Sequence, residues 1–162
     1  MIAHCRKAGI FWQGMGHDLS KYAPVEFWNG AKYYYGTQSP NVGEREKKGY
    51  STAWLHHKGR NRHHFEYWTD YSAALRKVVP VKMPLRYVAE MFCDRVAASK
   101  IYKGASYKDT DPLDYFMGGK ECRFIHPETS DMLEKLLRML AEEGEDKTFA
   151  YLKKLVRSKK EY

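Results

Sequence analysis

An all-α fold, a single-domain helical bundle spanning residues 1–162, is predicted by three features of the sequence. Apolar residues recur at three- and four-residue spacings through the long segments 84–102 and 127–157. Prolines open several of the helix-like segments and glycines close them, as helix starts and stops require. No segment alternates apolar and polar residues for long enough to read as a strand. The chain has 162 residues, 43% hydrophobic and 30% charged, which is sufficient to bury a core and is globular in character rather than disordered.

The elements follow in order. Residues 2–9 read as the end of a helix stopped near Gly9, and the chain opens as if inside an element. Residues 16–22 form a short helical turn bearing His17 and Asp18. Pro24 suits the first turn of the next helix, and Glu26 suits its positive end. That helix carries Phe27, Trp28, Ala31, Tyr34 and Tyr35 and ends at Gly36. Residues 37–43 form a polar loop with a Ser39-Pro40-Asn41 turn. Residues 44–57 read as one helix weakened by Gly49, broken at Gly59-Arg60-Asn61. A short helix follows over 63–71, and Pro80 and Pro84 bracket a linker. Residues 84–102 are the clearest helix, with Leu85, Val88, Met91, Phe92, Val96 and Ala97 as its stripe. After a loop over 104–109, Asp111-Pro112 opens a short helix that ends near Gly118-Gly119. Pro127-Glu128-Thr129 opens a long amphipathic helix that Gly144 ends, and a last helix covers 146–157.

Composition narrows the function classes. Aromatic residues make up 15%, with 13 Tyr and four Trp, side chains suited to pocket walls that need an apolar body and a polar tip. No apolar run approaches the roughly 18 residues of a membrane span, and no long apolar stretch follows the charges at the N-terminus, so neither a span nor a signal peptide is expected. Cys5, Cys93 and Cys122 are odd in number and widely spaced, which points to a reduced cytoplasmic setting. The net charge of +8 favours anionic partners: phosphate esters, nucleotides or nucleic acid. Part of the excess is a C-terminal cluster of Lys153, Lys154, Arg157, Lys159 and Lys160, which complements a helix dipole.

The most informative residues form a metal-ligand set. His17-Asp18 is an adjacent pair, His56-His57 and His63-His64 are two double histidines seven residues apart, and Asp94 interrupts an apolar helix. Imidazole nitrogen and carboxylate oxygen suit Mn, Fe, Zn or Ni. Neighbouring side chains on a helix point about 100° apart, so His17 and Asp18 reach one ion only where the helix is short or distorted. Gly14 and Gly16 permit such an approach. A carboxylate at Asp94 is costly to bury on its face without a cation, the competing partner being Arg95. Gly59 turns the segment between the histidine pairs, so one histidine of each pair faces inward: His57 and His64, with His56 and His63 as the alternatives. Glu66 is positioned to orient a ligand imidazole.

The order of these residues is similar to that of the HD-domain superfamily of metal-dependent phosphohydrolases. More narrowly, His17-Asp18-Leu19-Ser20-Lys21-Tyr22, Ala53-Trp54-Leu55-His56-His57, Asn61, His63-His64-Phe65-Glu66-Tyr67-Trp68 and His126-Pro127-Glu128-Thr129 resemble a bacterial and phage family without assigned function, whose members sometimes carry an automatic catalase label. Nothing in the residues places a haem pocket. The resemblance implies an HD-like helical bundle with His17, Asp18 and Asp94 as core ligands, the intervening histidines completing that site or holding a second ion. It also implies an earlier first histidine. His4 is available, and relatives extend further upstream, where another histidine would serve.

The leading expectation is a metal-dependent phosphohydrolase acting on a nucleotide or small phosphorylated metabolite, with one or two ions and a metal-activated water. Asp18 would act as ligand and base. Arg60 and Arg62, with Lys21 and Lys58, would balance phosphate charge. The alternatives are a basic nucleic-acid or phosphate-binding module with a structural metal, and a metal-dependent oxygenase. The aromatic surplus also allows a homodimer.

Overall fold

A computed structural model describes residues 1–36, 39–158 and 162. The loop positions Thr37 and Gln38 and the basic Lys159 and Lys160 lie outside the described residues. Among those described, eight α-helices are joined by short 3₁₀ turns and one two-stranded hairpin. The helices are α1 (Ile2–Ala8), α2 (Phe11–Met15), α3 (Pro24–Tyr33), α4 (Pro40–Lys48), α5 (Thr52–Lys58), α6 (Leu85–Lys103), α7 (Asp111–Met117) and α8 (Pro127–Ser158). No helix among them is long and apolar enough to cross a membrane.

The core forms where α1, α6 and α8 pack together and α7 packs on α8. Helix α6 runs through the middle, burying Val88, Ala89, Met91, Phe92, Cys93 and Val96. Helix α8 supplies Leu133, Leu136, Leu137, Leu140, Phe149 and Leu152. Gly144 has left-handed φ (79°) and extended ψ (174°), and it kinks α8 between the two helical stretches read from the sequence. Helices α3, α4 and α5 pack on one another and build the end of the molecule that faces the metal-ligand residues.

The fold is mostly helical, but all-α needs correction. Thr69–Ser72 and Lys77–Pro80 pair antiparallel, with Thr69 opposite Pro80 and Ser72 opposite Lys77. The predicted helix over 63–71 therefore shrinks to a 3₁₀ turn over Phe65–Tyr67, and part of the predicted linker becomes a strand. Thr69, Tyr71, Val78 and Val79 are good strand formers. Their four-residue strands are exposed along most of both faces, so no alternating burial is written into them. A backbone bond from Val81 to the Trp68 carbonyl (2.8 Å) closes the hairpin.

The single helix expected over 44–57 is two. Gly49 ends α4 in the left-handed conformation (φ 81°), and Ser51 caps α5 by accepting from the Trp54 amide (3.0 Å). The expected loop before it is shorter than predicted, because Ser39 and Pro40 start α4. Helix α3 likewise stops at Tyr33 rather than Gly36.

Glu44 holds the α4–α5 corner together. Its side chain is fully buried and accepts from Ser51 Oγ (2.7 Å), Thr52 Oγ1 (2.5 Å), the Ala53 amide (3.3 Å) and Lys48 Nζ (3.0 Å). Burial would raise its carboxyl, but the Thr52 and Ser51 hydroxyls and the Lys48 ammonium lower it to about 2. A depressed carboxyl contributes stability that is present above its ordinary value and lost as the pH falls towards the folded one. Glu44→Gln is therefore expected to destabilise the fold by about 1–3 kcal/mol at neutral pH. It should also weaken the dependence of stability on pH between 4.5 and about 2. Urea denaturation at pH 6 and pH 3 checks both; equal midpoints for the variant and the parent at pH 6 would contradict the assignment.

Candidate metal centre

Gly14 begins the construction of the site. A Cβ there would lie 2.4 Å from Cys5 Cβ, so only glycine lets α2 come this close to α1. The Gly14 carbonyl then accepts a hydrogen bond from His17 Nδ1 (2.8 Å), which turns His17 Nε2 towards the site. The next residue, Asp18, has positive φ (58°). That left-handed step costs about 1–2 kcal/mol for most side chains and less for aspartate. It resolves the divergence expected of adjacent helical residues, because the chain reverses between His17 and Asp18 before the 3₁₀ turn over Leu19–Tyr22.

The histidines arrive from the other side. His57 is near the C-terminus of α5, and the buried Asn61 ties that end down through Nδ2 to the His57 carbonyl (2.8 Å) and to Ser20 Oγ (2.7 Å). His63 and His64 follow in the turn, with ring centroids 4.2 Å apart. Asp94 comes from the middle of α6.

These residues converge in two groups that share Asp18. One comprises Asp18, His57, His63 and His64; the other, His17, Asp18 and Asp94. Within each, one potential ligand atom per residue lies within 4.8 Å of every other. His57 Nε2 is 3.2 Å and His63 Nε2 3.4 Å from Asp18 Oδ1, and His17 Nε2 is 3.8 Å from Oδ2. Two ligands bound to one ion at ~2.0–2.2 Å stand ~3.0–3.4 Å apart, so the two shorter separations suit a shared cation. Asp18 Oδ1, His63 Nε2 and His64 Nε2 are all buried and lack a hydrogen-bond partner among the described residues. A cation supplies what such atoms lack.

The other ring nitrogens are occupied. His57 Nδ1 donates to Glu26 Oε2 (2.8 Å), and His63 Nδ1 stands 3.5 Å from Glu90 Oε1. With His17 held by the Gly14 carbonyl, three imidazoles have Nδ1 against an acceptor and Nε2 towards Asp18, the arrangement in which a carboxylate or carbonyl sets the tautomer of a ligand histidine. Burial opposes ionisation of Asp18, but His57 and Lys21 outweigh it and hold the carboxyl far below its usual range. Burial alone would lower His57, yet Asp18 and then Glu26 raise it above its usual value. His64 is driven down to about 2 by burial and by the neighbouring His63 and His57, which keeps it neutral. The mixed nitrogen–oxygen set can hold a divalent transition ion.

The cluster opens onto a cavity of about 670 Å³ whose walls include Lys21, Phe27, Tyr34, Trp54 and Tyr102. Lys21 Nζ is 2.6 Å from Asp18 Oδ2. His17, Asp18, Lys21, His57, His64 and Asp94 are thus brought together, and both members of the second histidine pair take part rather than one. His4 belongs to neither group: α1 directs it onto the Phe149 ring (centroids 5.3 Å apart), with Glu145 3.9 Å away. His56 turns to Glu26 Oε1 (2.6 Å). Arg60 is exposed and bonds the His56 carbonyl (3.5 Å). Arg62 is exposed and bonds Tyr87 Oη (3.1 Å). Neither arginine lines the cavity. Glu66 bonds no histidine; its Oε2 is buried without a partner. His126 precedes α8, away from the cluster. The supporting Glu26, Glu90, Ser20 and Asn61 were not singled out from sequence in these roles. Glu90 had a signal, standing one helical turn before Asp94 on α6.

Because Asp18 is common to both groups, Asp18→Ala is expected to abolish bound metal, whereas Asp94→Ala lowers it and His4→Ala leaves it unchanged. Elemental analysis of protein purified without added metal reads all three, with circular dichroism as the control for folding. Full metal content in the Asp18 variant would show that the cluster holds no ion. A ligand imidazole must be neutral, so metal affinity should decline as the pH falls through the raised His57 value, already above 6.5. Calorimetry in two buffers of different ionisation enthalpy should record proton release on binding; a pH-independent affinity would remove His57 from the ligand set.

No curated protein and no solved structure shows significant similarity to the chain. A family model described as a family of unknown function, DUF5662, matches residues 1–139. That span contains every residue of both ligand groups, and the chain belongs to this family.

Proposed function

We propose that the protein is a metal-dependent phosphohydrolase of the HD type, acting on a nucleotide or another small phosphorylated metabolite with one or two divalent transition ions. The observation that carries the reading is the shared Asp18, flanked by imidazoles whose Nε2 atoms converge on it while their Nδ1 atoms are engaged elsewhere. The sequential order of His17-Asp18 and a later Asp94 is the order of the HD superfamily. When bound, such an ion supplies an acidified water and polarises a phosphoryl oxygen.

The chain's own groups have distinct tasks. His57, His63, His64 and Asp18 would hold one ion; His17 and Asp94, with Asp18, would hold a second. Glu26 keeps the His57 proton on Nδ1, so Nε2 keeps its lone pair for coordination. Asp18 stays ionised, the state in which it can hold an ion, and its strongly depressed carboxyl speaks against the base role expected from sequence. Lys21 lines the cavity beside Asp18 and offers its ammonium to the phosphate oxygens, a task expected from sequence of Arg60 and Arg62 together with Lys21 and Lys58. Trp54 and Tyr102 wall the cavity and give a nucleobase or other flat group a surface to lie on.

A phosphatase screen across nucleotides and an aryl phosphate is the test. Turnover is expected to vanish with a chelator and return with added Mn, Fe, Zn or Ni while helicity is kept. Lys21→Ala should raise KM by about 10-fold, in the range of one lost charge-assisted contact. Turnover that survives chelation would overturn the reading. Loss of fold on chelation, with no turnover of any phosphate ester, would favour a structural metal instead.

A further inference from the structure

Behind His63 and His64 lies a second cavity of about 590 Å³, which shares Trp54, His64, Asp94 and Tyr102 with the first. Its distinguishing residues are Arg95 and Arg123. Arg95 follows Asp94 on α6 and the helical step of about 100° parts them: Asp94 lines both cavities and groups with His17 and Asp18, whereas Arg95 lines this one alone. The Asp94–Arg95 ion pair that would have explained both residues does not form. Arg95 Nε is buried without a hydrogen-bond partner, and Arg95 makes no ion pair among the described residues.

Arg123 is held in place without being neutralised. Its guanidinium donates to the backbone carbonyls of Phe116 and of Tyr115 (3.1 Å for the latter) and lies over the Phe116 ring at 4.9 Å. A Cβ at Gly119 would come within 2.9 Å of Nη2, so the glycine makes room for this placement. Glu66 also lines the cavity, but it pairs with neither arginine among the described residues. Of the other charged groups that line this space, Asp111 stands 3.8 Å from Lys103 and Asp94 groups with His17 and Asp18, so Glu66 alone is left to balance two partly buried guanidiniums, and a guanidinium withdrawn from water without an ion-paired carboxylate is costly.

We propose that this cavity is an oxyanion-binding pocket, in which Arg95 and Arg123 take a phosphate or carboxylate group of a ligand whose other end reaches the metal cluster past Trp54 and Tyr102. A guanidinium fork matches either oxyanion, and Arg is the residue suited to such contacts. That the ligand is the substrate rests on the phosphohydrolase reading; that the pocket binds an oxyanion does not. The substrate so defined carries an anionic group besides the one that reacts.

Calorimetric titration of chelator-treated protein with orthophosphate, and separately with succinate, tests the pocket without reading turnover. Saturable binding of one of them is expected, weakened at least 10-fold by Arg95→Gln and also weakened by Arg123→Gln. Arg62→Gln, which alters an exposed arginine outside the cavity, should bind as the parent does. Circular dichroism of each variant identifies loss through misfolding, and the two arginines are tested separately so that one folded variant suffices. Preference for succinate would assign the group to a carboxylate, and preference for orthophosphate to a phosphate. No binding of either anion by the parent, or undiminished binding by both cavity variants, would overturn the proposal. Anion binding without any phosphatase activity would keep the pocket and refute only the hydrolase reading.

Discussion

The buried charge of Asp18 is the constraint to which the rest of the site is built. Removing a carboxylate from water costs several kcal/mol unless cations or donors surround it. Here the surroundings are three imidazole Nε2 atoms, the Lys21 ammonium and, close by, a second carboxylate at Asp94. The two carboxylates repel, and Lys21 lies near enough to both for each to raise its affinity for a proton. A divalent ion neutralises this assembly more completely than one ammonium and satisfies the orphaned Oδ1 and Nε2 atoms in the same step. Binding energy at the cluster would then add to folding stability.

Rigid support reaches that cluster from distant parts of the chain. Glu26 on α3 takes both His56 and His57, and Glu90 on α6 stands beside His63. Asn61 links the end of α5 to Ser20 in the turn that carries Asp18. The α4–α5 corner, fixed by the buried Glu44, sets where α5 begins and therefore where His57 ends up. Close packing of Gly14 on Cys5 sets the His17 carbonyl contact. Each bond takes a degree of freedom from a candidate ligand, and such preorganisation is the condition for tight and selective metal binding.

Charge is distributed with similar economy. Much of the net charge of +8 lies on exposed lysines and arginines that water solvates, Arg60 and Arg62 among them. The informative cations are the few that line a cavity. Lys21 sits against Asp18, and Arg95 and Arg123 face the second cavity without an ion pair to any of its carboxylates among the described residues. Aromatic side chains at Trp54 and Tyr102 wall both cavities, so the metal cluster lies between two spaces that share those walls.

Local pattern carries far enough to reveal the helices over 84–102 and 127–157, the break at Gly144, and the suspicion attached to His17, Asp18, the histidine pairs and Asp94. These are properties of neighbours: periodicity, a costly carboxylate on an apolar face, unusual density of one residue type. The hairpin escaped because its strands are short and exposed, leaving no alternation to read. The split at Gly49 was visible only as a weakness, because whether a glycine bends a helix or ends it depends on what waits beyond, here a buried Glu44 that caps the next helix. Which histidine of each pair turns inward could not be read either. His56 and His57 both reach Glu26, 30 and 31 residues away, and differ because only His57 also turns Nε2 to Asp18, which no local signal encodes. The sequence by itself determined the candidate ligand types and the helix that carries Asp94, since both follow from local chemistry. The tertiary structure alone decided that Asp18 is shared, that His4, Arg60 and Arg62 stand apart, and that Arg95 faces a cavity, because only packing of remote segments sets where a side chain ends.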